Sequence, residues 1–288
     1  MKSRARLRFG GTFGMAMLAL IAAIVIVPLY WLVVASTKGN STLFSSSTFV
    51  PGSFSALGNN ISQLFTVQDG IFGRWLLNSV IYGFVTATLG TYLCTLTGYA
   101  VAMFRFRGRA ALMSAVLGGL MVPSTVLIVP LFILERTLHL TDSYQGVILP
   151  MLVFPFGVYF MSIYIGEAVP STLLEAARID GARELQIFNR IALPTVVPGM
   201  VTLFLISFIG TWNNYFLPLV LVSSTTKYPL TVGLSIWLGS VATPGVNQAL
   251  YPQVILGSLV STLPMLVLFP FLQRYVARGL TVGALAGG

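Results

Sequence analysis

The 288-residue chain is 56% apolar and only 8% charged, with a mean hydropathy of +0.89, which excludes a water-soluble globular domain. Its net charge of +9 is spread in small groups between apolar runs. A nucleic-acid binder would mass its cations on one soluble face, whereas small groups between apolar runs are what fixes a chain's orientation in a bilayer. A helical crossing takes about 20 apolar residues, so there is room for about six crossings and no large soluble domain.

Six apolar runs are long enough to span as helices: about 12–34, 76–104, 110–134, 146–166, 198–222 and 252–273. The first follows Lys2, Arg4, Arg6 and Arg8, with Val33 and Ala35 in the pattern of a cleavage site. It is too long for a signal core, so retention as a helix is expected. The loop 36–75 is rich in Ser, Thr, Gly and Asn, and its composition points to no chemistry. Cys94 lies inside a run and reads as a small buried residue, and His139 reads as a surface residue with no second metal ligand near it in sequence. The apolar stretch 228–240 is too short to span and predicts an interfacial or re-entrant helix on the outer side.

Short connectors retain Lys and Arg on the cytoplasmic side. With the N-terminus inside, twelve of the sixteen fall in inner segments: the first four, Arg105, Arg107, Arg109, Arg178, Arg183, Arg190, Arg274 and Arg278. Lys38, Arg74, Arg136 and Lys227 fall outside, so both termini are expected in the cytoplasm. The expected division is 1–70, the first helix and a long outer loop; 71–275, a core of five spans with an inner loop at 167–197; and 276–288, a cytoplasmic tail.

Glu175, Asp180 and Glu184, three of the seven acids, lie within that inner loop beyond Glu167 at its edge. Thr172 stands three residues before Glu175, the spacing of a capping box, and predicts a helix over 172–180. Gly181 suits a left-handed helix end after Asp180. A second helix over 182–192 is expected, with Leu185, Phe188 and Ile191 or Ala192 on one face and Pro194 as its stop.

The run Glu175-Ala176-Ala177-Arg178-Ile179-Asp180-Gly181-Ala182, with the later Leu193-Pro194, closely resembles the cytoplasmic EAA loop of permease subunits in binding-protein-dependent ABC importers. The resemblance implies an all-α integral membrane protein, like a type I ABC importer permease. Its helix from Glu175 to Gly181 would insert into a cleft of a separate ATPase subunit. Ala176, Ala177 and Ala182 would keep that surface low, and the acids with Arg178 and Arg183 would set register by ion pairs at the rim. Residues 70–280 also resemble the carbohydrate branch, in the type of the second membrane component of maltose systems, through Trp212-Asn213-Asn214-Tyr215-Phe216, Pro229 to Leu234 and Arg278-Gly279-Leu280-Thr281. The tail after Arg278 lacks the lysine of the usual family ending, so no regulatory role carries over to it.

The resemblance implies a bacterial cytoplasmic-membrane importer for a sugar or sugar derivative. Its partners would be a second permease, two ATPase subunits that bind the ATP and magnesium, and an extracytoplasmic binding protein. The chain has no Gly-rich loop ending in Gly-Lys-Ser or Gly-Lys-Thr and no expected cofactor or metal of its own. Trp212, Asn213, Asn214 and Tyr215 lie roughly 22 Å up their helix. They could line a pathway and meet sugar hydroxyls, or bond between helices and form an interfacial belt. Ser258, Ser261 and Thr262 share one helix face, which suits close packing. A non-sugar solute is the first alternative, and a secondary transporter or channel a weaker one, since no acid lies well inside a run and no paired interrupted halves stand out.

Overall fold

The computed structural model describes residues 3–242 and 250–285, with side chains described over 13–242 and 250–270. The helices in chain order are α1 (Ser3–Ser36), α2 (Asn40–Leu43), α3 (Phe54–Thr66), α4 (Ile71–Met103), α5 (Arg109–Met121), α6 (Ile128–Thr137), α7 (Tyr144–Leu152) and α8 (Pro155–Ala168). There follow α9 (Ser171–Ile179), α10 (Glu184–Ile187), α11 (Leu193–Thr195), α12 (Val197–Trp212), α13 (Phe216–Leu221), α14 (Leu230–Ala242) and α15 (Tyr251–Leu285). Three stretches are long and apolar enough to span unbroken, and three bent pairs bring the total to six among the described residues.

The bends have local causes. Val122 before Pro123 and Phe154 before Pro155 are extended, because a proline ring disfavours helical geometry in the residue it follows. The α5–α6 pair therefore turns by 99° and the α7–α8 pair by 41°. The 198–222 run also breaks: α12 stops at Trp212, and Asn213 to Tyr215 lead into α13. The short helix expected near 228–240 is α14, 13 residues long.

The described chain forms two compact units. One comprises residues 1–72 with 234–263. In it Leu64, Phe72 and Trp237 are buried, and the Phe72 and Trp237 rings stack at 6.4 Å. Gln68, Asp69 and Gly70 are all left-handed, and the Trp237 indole N–H donates to Gln68 Oε1 at 2.9 Å. The hydroxyls of Ser258, Ser261 and Thr262 bond carbonyls of their own helix, while Gly257 lets Leu234 and Phe72 approach closely.

The other unit comprises 73–233 with 264–288. Its core joins Cys94 and Tyr99 of α4, Met161 and Ile165 of α8, Leu174 of α9, Phe188 and Leu203. Cys94 is fully buried and His139 exposed, as expected. Glu135 lies just past the expected run, two residues before the end of α6, 3% exposed, with neither carboxyl oxygen hydrogen-bonded. Gly146 makes room for it: a Cβ there would stand 2.6 Å from Glu135 Oε2.

Candidate functional site

The loop between α8 and α12 is anchored from within. Leu174 and Ala177, one turn apart on α9, are buried in the core with Ile187 and Phe188, and Phe188 packs on Tyr99 at 5.2 Å. At the end of α9, Gly181 N–H donates to Arg178 O and Ala182 N–H to Ala177 O, both at 3.0 Å. Those two bonds close a Schellman turn, and Gly181 takes the left-handed φ of 81° the turn requires. Nothing lies within 4 Å of a Cβ built at Gly181, so a side chain there would meet backbone strain and no neighbour.

Three expectations are corrected here. The capping box does not form: α9 starts at Ser171, Pro170 holds the N-cap without a side-chain bond, and Thr172 sits inside the first turn. The cap appears at the next helix, where Arg183 N–H donates to Gln186 Oε1 at 2.9 Å. Pro194 does not stop the second helix either. Residues Phe188–Ala192 widen into a π turn, with Leu193 N–H bonded back to Phe188 O, and α11 carries Pro194 at its first turn, where no N–H is needed. The buried face is Ile187, Phe188 and Ala192, while Leu185 is 61% exposed.

Of the predicted loop residues, Glu175, Ala176, Arg178, Asp180, Gly181 and Pro194 are exposed, Ala182 and Leu193 half-buried, and Ala177 buried against its own chain. Ala177 therefore seats the helix rather than lining its outer surface. Arg178 is likewise engaged internally: its Nε donates to Glu184 Oε1 at 2.7 Å and its guanidinium lies 5.8 Å from the Phe104 ring centroid. The Glu184 hydrogen bond raises the Arg178 pKa further above its ordinary value. The exposed apolar side chains of the loop are Leu173, Ile179 and Leu185, with Ile179 87% exposed. The visible signal for the two on α9 was an apolar side chain off the buried Leu174–Ala177 stripe.

The candidate pathway residues are not presented together. Trp212 is buried, its ring stacked on Phe208 at 5.6 Å. Asn214 is half-buried and caps α13, accepting the Leu217 N–H at 3.3 Å while its Nδ2 meets Met151 Sδ at 3.3 Å. Tyr215 packs edge-on against Phe216 at 5.3 Å. Asn213 alone of the four is exposed, its Nδ2 turned back to Ile209 O at 2.9 Å.

A second polar centre escaped the sequence reading. Asp142, left-handed with φ 53°, accepts the N–H groups of Ser223 at 3.1 Å and Ser224 at 2.9 Å, the Ser224 hydroxyl, and Lys227 Nζ at 3.0 Å. Burial pushes its carboxyl up, but these donors outweigh burial and hold it well below the usual carboxylate range. From α4, Asn78 Nδ2 donates to Thr226 O and Tyr228 O, Trp75 Nε1 to Thr225 O and Tyr82 Oη to Lys227 O. The segment 222–229 is thus tied at nearly every residue.

Multiple apolar spans, three of them bent pairs, define a multi-pass membrane protein that carries a capped, rigidly seated loop. Residues 94–282 match the family described as binding-protein-dependent transport system inner membrane component, and the chain belongs to that family. It is 34% identical to the arabinooligosaccharides transport system permease protein AraQ of Bacillus subtilis over 269 residues, 93% of each chain. It is 31% identical to the trehalose transport system permease protein SugB of Mycobacterium tuberculosis, covering 93% of this chain and 95% of that one. Its fold matches a chain from the crystal structure of a bacterial ABC transporter involved in the import of the acidic polysaccharide alginate, with a TM-score of 0.80 and 24% identity over 96% of this chain and 99% of that one.

Proposed function

We propose that the chain is one permease subunit of an ATP-driven importer for a mono- or oligosaccharide or a sugar derivative. It pairs with a second permease, takes solute from an extracytoplasmic binding protein, and is driven by two ATPase subunits that carry the ATP and magnesium. Its termini and α9 face the cytoplasm, following the twelve-to-four split of basic residues. The oligosaccharide and trehalose named for the relatives support the solute class.

One observation carries the coupling role: α9 is seated in the core by Leu174 and Ala177 and closed by the Gly181 turn, yet presents Leu173 and Ile179 outward. A helix so held moves with α8 and α12 rather than bending. When an ATPase groove closes on its outer face, that displacement reaches the spans, which is what a transporter without its own nucleotide site requires. The acids and arginines of the loop set register around the apolar contact.

The test is Gly181→Val in the complete complex reconstituted in bilayers. A β-branched side chain resists the left-handed turn, so the variant inserts normally and loses solute-stimulated ATP hydrolysis. Normal stimulation in that variant overturns the coupling role. The solute class is checked by ligand screening of the binding protein that works with this permease, where a preference for amino acids or peptides over sugars would overturn it.

A further inference from the structure

The segment between α1 and α3 has a composition at odds with a water-facing loop. Residues 39–68 contain no Lys, Arg, Asp, Glu or His, whereas about a quarter of an ordinary soluble chain is charged. The segment nevertheless exposes large apolar side chains: Phe44 by 73%, Phe49 by 54%, Val50 by 59% and Phe54 by 91%.

These side chains are held outward by construction. Lys38 is buried and its Nζ donates to Ser47 O at 2.6 Å, drawing the segment back onto the end of α1. Gly52 N–H donates to Thr37 Oγ1 at 2.7 Å, and a Cβ at Gly52 would stand 2.3 Å from Thr37 O. Asn60 Nδ2 donates to the carbonyls of Ser36 at 2.8 Å and Lys38 at 2.9 Å. Leu43 faces inward against Ala35 and Ile255. Between such anchors Phe44 sets its ring edge-on against Tyr251 at 5.2 Å, and Phe49, Val50 and Phe54 stay exposed.

Phe49 continues the exposed surface of α1. That helix is long and apolar enough to cross a membrane, and its residues from Phe13 to Val33 are apolar and exposed along nearly their whole length, the kind of surface a span offers to lipid. Tyr30, near the end of that surface, stacks its ring on Phe49 at 6.5 Å and donates its hydroxyl to Phe49 O at 3.0 Å. Trp31 stands beside it, and aromatic side chains with a polar edge gather at the headgroup level of a bilayer.

We infer that Phe44, Phe49, Val50 and Phe54 lie in the lipid headgroup region at the C-terminal end of α1, so that this segment is a membrane-resting collar. The absence of charge means that its attraction to lipid is apolar and aromatic, and it holds on a zwitterionic surface without anionic lipid. The inference depends on α1 crossing the bilayer and not on which leaflet it reaches, and so stands apart from the transport reading.

The test places a nitroxide at Phe54→Cys and, as a polar-side control, at Ser62→Cys, in the assembled complex in phosphatidylcholine bilayers. Cys94 is fully buried and does not compete for the label. Both sites are exposed, so neither change removes a packed side chain. Oxygen dissolved in lipid should relax the label at 54 more strongly than a water-soluble nickel chelate does, with the order reversed at 62. Dominance of the nickel chelate at 54 would show an aqueous surface, and shielding from both reagents would show a protein occupant such as the second permease or the binding protein. Either result overturns the collar.

Discussion

The loop between α8 and α12 and the segment 222–229 are built on opposite plans within one unit. The first keeps its shape through buried apolar residues and backbone bonds at Gly181 and Ala182, leaving Leu173, Ile179 and Leu185 outside. The second is tied through side chains, with Asp142, Lys227, Asn78, Trp75 and Tyr82 all bonded inward. A surface meant for a partner must leave its side chains free, whereas a surface meant only to be fixed can commit them. Substitutions in the two regions should therefore fail in different assays.

The largest expected effect is at Gly181. Gly181→Val should abolish solute-stimulated ATP hydrolysis while costing only about 1–2 kcal/mol of stability, and Gly181→Asn, which tolerates the left-handed turn, should retain part of the stimulation. In the tied segment the order reverses. Lys227→Met removes a charge-assisted donor from Asp142 and should lower stability by about 2–3 kcal/mol, read as a drop in unfolding midpoint in detergent, with stimulation preserved in the fraction that stays folded. A coupling defect without a stability loss in Lys227→Met would erase the contrast.

Acid should separate the regions next. A carboxylate whose folded pKa is depressed contributes stability above its unfolded value, and that contribution is lost as pH falls toward the folded one. For Asp142 the stability gap between the native chain and Asp142→Asn should stay constant from neutral pH to about 5 and shrink below about 4. A gap that shrank already near neutral pH would contradict the depressed carboxyl.

Smaller effects are expected for Arg178→Ala. Its ion pair is more than a third exposed on both sides, so the loss should be about 1 kcal/mol or less in stability. Ile179→Ser should change stability by no more than about 0.5 kcal/mol, yet weaken ATPase binding in a titration of the purified subunits. Unchanged binding would move the contact to Leu173 or Leu185.

Local chemistry made the first region legible and long-range pairing hid the second. Gly181 after Asp180 announced a left-handed helix end because the turn is decided within five residues. The spans were equally readable from apolar length, and their bends at Pro123 and Pro155 follow a rule that acts on one neighbour. Asp142 meets Ser224 across 82 residues, and Asn78 meets Thr226 across 148, so no window of sequence contains both partners. The capping box did not form although the spacing Thr172 to Glu175 was present, because the helix begins one residue earlier, after Pro170, and puts Thr172 inside the first turn. Ile179 and Leu173 were passed over, and Leu185 was placed on the face of Phe188, because an apolar residue in a charged loop reads as core until its angular position is known.

The π turn at Phe188–Ala192 takes up a residue without changing the phase of what immediately follows. It holds one residue more than an α-helical turn would, and the wider turn absorbs the roughly 100° that an added residue otherwise imposes. Removing a single residue between Phe188 and Ala192 would close the turn to ordinary pitch and leave the next positions near their present faces, with Val196 buried and Pro194 and Thr195 exposed. Adding one has no such reserve: it would rotate each helical position up to the bend at Val196 by about 100° and carry Val196 toward solvent. The length of this stretch is thus tolerant in one direction and constrained in the other, which composition does not express.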